Sequence, residues 1–156
     1  MLLNQPGVDD GPDNNWLDLF QHWVKSLLDS VSTVMVVQNM DYDKLCKEIL
    51  NLDSKVRFAG VCDETGEIKF GGQREGITNL LTAEETKKSN LQAMARWGLR
   101  NSLSPKVGKG KYAMAEYEKM KRITFPLDPD HLLLVTTEVD ADHVRIISNI
   151  LQRINI

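Results

Sequence analysis

The chain holds 156 residues, 42% of them hydrophobic and 26% charged, the balance of one globular domain with an added arm. A net charge of −3 argues against a protein that coats nucleic acid, and no run of ~18 apolar residues is present that would span a membrane. Cys46 and Cys62 show neither a CxxC nor a zinc-like Cys/His spacing and read as reduced, buried thiols; the N-terminus lacks a secretory signal, so the expected location is the cytoplasm.

Residues 1–39 read as a flexible N-terminal arm. Its first fifteen residues are rich in Pro, Gly, Asp and Asn and hold almost nothing to bury. Trp16, Leu19, Phe20, Trp23, Leu27 and Val31 recur at three- and four-residue steps, which predicts an amphipathic helix over 16–30 with Asn15 as its cap. Residues 31–37 are β-branched and apolar, and fit a strand or a helical extension. A membrane-surface helix should carry Lys and Arg on its polar face; here Asp18 and Asp29 outweigh Lys25, which favours packing on protein. Met40 stands as an alternative start, with residues 1–39 then an upstream extension.

The main domain is expected over 40–156. A helix over 41–52 carries Leu45, Ile49 and Leu52 behind an Asp41 cap. Residues 55–62 alternate as a strand, Val56, Phe58, Gly60 and Cys62 on one face and Arg57, Ala59 and Val61 on the other. Asp63-Glu64-Thr65-Gly66 turns the chain into a second strand over 67–70. After the glycine-rich segment 71–76, Thr82-Ala83-Glu84-Glu85 reads as a capping box opening a helix to Leu103, with Leu91, Met94, Ala95, Gly98 and Ser102 facing the sheet and Ser104-Pro105 as its stop. Three strands follow, over 112–118, 121–126 and 131–138; the third is nearly all apolar, as in a central strand covered on both faces. Asp140 is the candidate cap of a last helix burying Val144, Ile147, Leu151 and Ile154. The order α-β-β-α-β-β-β-α, with the fifth strand beside the first, predicts an α+β fold: a five-stranded antiparallel sheet of order 2-1-5-4-3 with helices on its faces.

No chemistry stands out along this chain. The Gly71–Gly76 loop could offer backbone N–H groups to an anion with Arg74 as a clamp, but it lacks the GK[ST] of a phosphate loop, and its glycines fit the end of a strand better. His22, His131 and His143 form no ligand or base motif, and Glu116 and Glu118, sharing a strand face, have Lys119, Lys121 and Arg122 as surface partners. No catalytic residue, cofactor or metal site is expected. Charge segregation is the clearest feature: residues 87–122 carry +8 and the remainder −11. Beside Trp97, Tyr112 and Tyr117 that zone suits an acidic protein surface or, less well, nucleic acid, and the acidic remainder permits self-association.

The element order resembles the roadblock/longin/profilin-like class. The stretches VRFAGVCDETGEIKFGG, REG, ARWGLRNSL, KYAMAEYEKMKRITFPL and LLLVTTEVDADH also resemble a family of uncharacterised small archaeal proteins, over roughly residues 41–154. The resemblance implies a non-enzymatic interaction module, a homodimer whose sheet meets its partner, in some cases an adaptor for small GTPases. Arg74, Arg96, Trp97 and Arg100 are then the expected partner contacts, with Trp16, Phe20 and Trp23 on the arm, since Trp and Arg anchor interfaces. The alternative is a small-molecule sensor with a pocket between sheet and helix, lined by Met94 and Met114.

Overall fold

The computed structural model describes residues 16–37 and 40–154. The chain divides after Asn39 into two units. The first contains one helix, α1 (Trp16–Val37). The apolar run after residue 30 therefore extends the helix and forms no strand. The expected Asn15 cap and the reading of residues 1–15 lie outside the described residues.

The second unit runs α2 (Tyr42–Leu50), β1 (Val56–Cys62), β2 (Ile68–Gln73), α3 (Ala83–Ser102), the short α4 (Ser104–Val107), β3 (Ala113–Glu116), β4 (Lys121–Asp128), β5 (His131–Thr137) and α5 (His143–Ile154). The strands form one antiparallel sheet of order β2-β1-β5-β4-β3, as the sequence predicts. β5 is central because its side chains are apolar on both faces. Leu133 and Val135 point to one helical layer, Leu132 and Leu134 to the other.

The layers differ. On one face α2 and α5 bury Leu45, Cys46, Ile49, Ile146, Ile147, Ile150 and Ile154 against Val56, Ala59, Val61, Ile123 and Phe125. On the other, α3 covers a smaller cluster of Cys62, Trp97, Leu132 and Leu134, with Phe58 and Met94 packed against it.

Local signals place the helices. Asp41 accepts from the Lys44 N–H at 3.1 Å and Thr82 Oγ1 from the Glu85 N–H at 3.1 Å, each satisfying a free first-turn donor. α5 begins after Asp142, whose carboxylate accepts from the Arg145 N–H at 3.2 Å; Asp140 instead pairs with Lys55 at 2.6 Å. The buried face of α5 is Ile146, Ile147, Ile150 and Ile154, and Val144 faces solvent.

Two irregularities depart from the simple strand pattern. A register shift in β1 between Val56 and Phe58 turns Val56 to the side of Ala59 and Val61, so plain alternation fails there. β2 also runs on through Gly71 and Gly72, so these glycines lie inside a strand rather than in a loop. Gly71 has φ +78, and a Cβ there would sit 2.2 Å from the Ala59 carbonyl oxygen and 2.8 Å from Cys46 Cβ. Only glycine lets α2 and β1 close on that strand.

Candidate functional site

α3 decides which side chains cover the second face of the sheet. Thr86, Asn90, Ala93, Met94 and Trp97 form its inward stripe, not the expected Leu91, Ala95, Gly98 and Ser102, which are exposed. A Cβ at Gly98 would meet nothing within 4 Å, so no close helix approach occurs there. Polar bonds fix the actual stripe. The Trp97 indole N–H donates to Thr124 Oγ1 at 2.8 Å, and Asn90 Nδ2 donates to the Gly66 carbonyl at 2.9 Å. Trp97, expected as a partner contact, is only 2% exposed and closes against Gly110, where a Cβ would fall 2.6 Å from its ring. It is a core residue and not a surface anchor.

The arginines around it gather. Arg100 lies over the Trp97 ring, 4.9 Å from the centroid. Arg122, on β4, donates to Asn90 Oδ1 at 2.7 Å. Burial pulls the Arg122 pKa below its ordinary value, Tyr117 and Cys62 oppose that shift, and Arg96 adds a smaller lowering. Arg96, Arg100 and Arg122 line a polar cleft of about 160 Å³ between α3 and the β3–β4 pair, together with Ser89, Gln92 and Tyr117. Among the described residues no carboxylate pairs with any of the three arginines.

Arg74 is used differently. Its guanidinium donates to the carbonyls of Val56 at 2.7 Å and Asp53 at 2.9 Å, and also to that of Leu50. It therefore ties the end of α2 to β1, and no anion clamp forms in the glycine-rich segment. Lys121, expected on the surface, is 4% exposed. Its ammonium donates to the Ala141 carbonyl at 3.0 Å, lies 2.9 Å from His143 Nδ1 and 3.6 Å from Glu116. β3 ends at Glu116, so Glu118 lies in the turn and the two do not share a strand face.

A polar cluster that spacing could not reveal joins positions 86 residues apart: Tyr42 Oη donates to Asp128 at 2.6 Å, and His131 Nδ1 lies 2.9 Å from the same carboxylate. Burial pushes the Asp128 carboxyl up, but the bonds from Tyr42 and His131 outweigh it and leave it below its ordinary range. This cluster fastens α2 to the β4–β5 hairpin. Among the described residues no three His, Cys, Asp or Glu side chains are grouped to hold a metal. Both cysteines are free and buried, and burial pushes the Cys46 thiol up to about 12, which makes it a poor nucleophile.

A pocket between sheet and α3 does exist, about 100 Å³ and lined by Phe58, Leu80, Leu81 and Leu134 beside Arg57 and Arg122. Met94 does not line it, and Met114 borders the arginine cleft instead.

The outer surface of α3 and α4 is apolar. Ala95, Leu99, Leu103 and Val107 follow one another at four-residue steps, and Leu99, Leu103 and Val107 are 69%, 52% and 79% exposed. One residue beyond Ala95 and Leu99, Arg96 and Arg100 face β3 across the cleft. β3 is an edge strand, paired only with β4, so its outward backbone groups have no strand partner among the described residues. On α1, Trp16, Phe20 and Trp23 are 59%, 54% and 59% exposed, and the Phe20 and Trp23 rings lie 6.1 Å apart.

Sheet order and helix placement define an α+β domain of the roadblock class. It is similar to a roadblock/LC7 domain from Streptomyces avermitilis (TM-score 0.54, 13% identity, covering 74% of this chain and 93% of that one). It is also similar to MglB in a tetrameric arrangement (0.56, 12%, 71% and 79%) and to the gliding protein MglB from Thermus thermophilus (0.52, 14%, 71% and 85%). No curated protein matches the sequence. The chain belongs to the family of unknown function DUF6659, whose model matches residues 35–155.

Proposed function

We propose that this protein is a non-enzymatic interaction module that pairs with a second copy of itself through the β3 edge and the outer face of α3, and that serves as an adaptor in a small-GTPase or signalling complex. One observation carries the reading: the exposed Ala95–Leu99–Leu103–Val107 ridge, beside an unpaired strand edge. A helix row at four-residue spacing packs well against another helix, and an open edge strand invites a second strand. A two-fold axis through this region joins both features in one self-complementary interface. The roadblock-class fold supports the adaptor reading by analogy. The acidic remainder of the chain supports pairing with the basic 87–122 zone. Trp16, Phe20 and Trp23 on α1 are proposed as contacts to a further protein partner, and Arg96 and Arg100 as contacts to an acidic one. Free, buried thiols support a cytoplasmic location.

Light scattering on the full chain tests the pairing. A dimer is expected, converted to a monomer by Leu99→Glu with the circular dichroism spectrum unchanged. A wild-type monomer at all accessible concentrations, or a Leu99→Glu dimer, overturns it.

A further inference from the structure

We propose that the cleft between α3 and the β3–β4 pair is a binding site for the phosphoryl group of a small phosphorylated ligand, held by Arg96, Arg100 and Arg122. The site comes from the uncompensated charge. Three guanidinium groups converge on one cleft, and among the described residues no carboxylate pairs with any of them. Arg100 and Arg122 are partly buried, and a partly buried charge without a counter-charge destabilises the fold. Chains normally avoid this with an acidic neighbour, as Arg57 does here with Glu138 at 2.8 Å. Arg122 has instead an amide oxygen and a second guanidinium nearby.

The arginines are also held in place. Asn90, 1% exposed, is anchored on the Gly66 carbonyl and presents its oxygen to Arg122. Trp97, 2% exposed and anchored on Thr124, provides the ring on which Arg100 lies. Two polar bonds in the core thus hold the partners of two cations that line the same cleft. Such preorganisation lowers the entropy cost of binding.

The chemistry of the cleft selects the ligand. Planar guanidinium groups bind phosphate through paired N–H donors, and Ser89, Gln92 and Tyr117 add hydroxyl and amide donors at the rim. The volume, about 160 Å³, lies below the ~300–1,000 Å³ of sites for drug-sized molecules. It suits a phosphate or diphosphate group with a small remainder better than a whole nucleotide. Arg96, Arg100 and Arg122 are the basic residues that line the cleft, and a single cleft of this size favours a compact anion over a nucleic-acid strand. The ridge residues Leu99, Leu103 and Val107 do not line the cleft, whereas Arg96 and Arg100 are the residues also proposed above as contacts to an acidic partner.

The test is isothermal titration of the full chain with inorganic phosphate and with diphosphate, at constant ionic strength set by chloride. The Trp97 indole N–H is followed in parallel by NMR. Saturable binding is expected, with a shift of the Trp97 signal. Arg96→Gln and Arg100→Gln, both on the surface of a helix, should each weaken binding by about tenfold or more, while Leu99→Gln should leave it unchanged. Arg122→Lys, which keeps the charge and loses the fork, should weaken it while preserving the fold. Heats no larger than for chloride, binding unaffected by either glutamine variant, or binding to a single-stranded oligonucleotide but not to diphosphate would overturn the proposal. Light scattering on the same samples reports separately on pairing, so failure of either idea is read without the other.

Discussion

The two faces of the sheet are built on different principles. Between the sheet and α2/α5 lies a dense core of Ile, Leu and Val with one Phe, two Ala and the Cys46 thiol. Between the sheet and α3 lie four buried apolar residues, two anchored polar side chains and a row of arginines. Apolar burial is non-directional and stabilises in proportion to area. Buried hydrogen bonds contribute little net energy but fix orientation. The first face holds the fold together, and the second fixes the orientation of polar and charged side chains. The open edge β3, the exposed ridge and the cleft all lie on or beside the second.

Substitutions on the two faces should separate these roles. Phe125→Ala removes a fully buried ring from the aliphatic face and should cost about 3–5 kcal/mol in urea unfolding. Arg74→Ala, which frees three backbone carbonyls at the end of α2, should cost about 1.5–3 kcal/mol and leave binding and pairing unchanged. A larger loss of binding than of stability would restore Arg74 as a recognition residue.

The alkaline limb draws on both faces, since burial raises Cys62 on the α3 face as well as Cys46 on the aliphatic one. The Cys46 pKa is raised in the fold, from 9.0 to about 12, chiefly by burial and then by Asp43, so the folded state favours the neutral thiol. That contribution is fully present below pH 9 and is lost as the pH rises towards 12. Tyr42, raised by burial and by Asp128, adds the same sign from pH 10 upward. Thermal melts across this range should show Tm falling above pH 9, with a shallower fall between 9 and 10 in Cys46→Ala. An equal slope in both proteins would remove the thiol from the account.

On the α3 face, Trp97→Phe keeps an aromatic ring and deletes the indole donor to Thr124. It should cost only about 1 kcal/mol yet weaken anion binding, because Arg100 loses its fixed platform. If it costs as much as Phe125→Ala, the contrast between the faces fails. Smallest of all, Leu99→Glu should change the stability of the unpaired chain by less than ~0.5 kcal/mol, since the side chain is exposed.

How much of the molecule is legible in its sequence follows the same divide. The α2/α5 face is readable because burial there leaves a period: Leu45 and Ile49, Ile147 and Ile154, and the unbroken Leu132–Val135 of a strand covered on both sides. The α3 face misleads because its exposed row, Ala95, Leu99 and Leu103, is as apolar as its buried one, which contains Asn90 and Trp97. The arginine cleft joins α3 to a strand more than twenty residues away, and sequence reasoning points only to Arg96 and Arg100, the two on α3. The Tyr42–Asp128–His131 cluster leaves no signal at all.

The sequence by itself determined the element order, the capped helix starts, the central place of β5 and hence the sheet order. These follow from local propensity, periodicity and short hairpins, which act between near neighbours. Only the tertiary structure decided which side of α3 is buried, that Gly71 lies inside a strand against Cys46, that Arg74 is tied to backbone carbonyls, and that Arg122 lines one cleft with Arg96 and Arg100. Those outcomes depend on pairwise distances between segments distant in the chain, and residue patterns along one segment do not encode them.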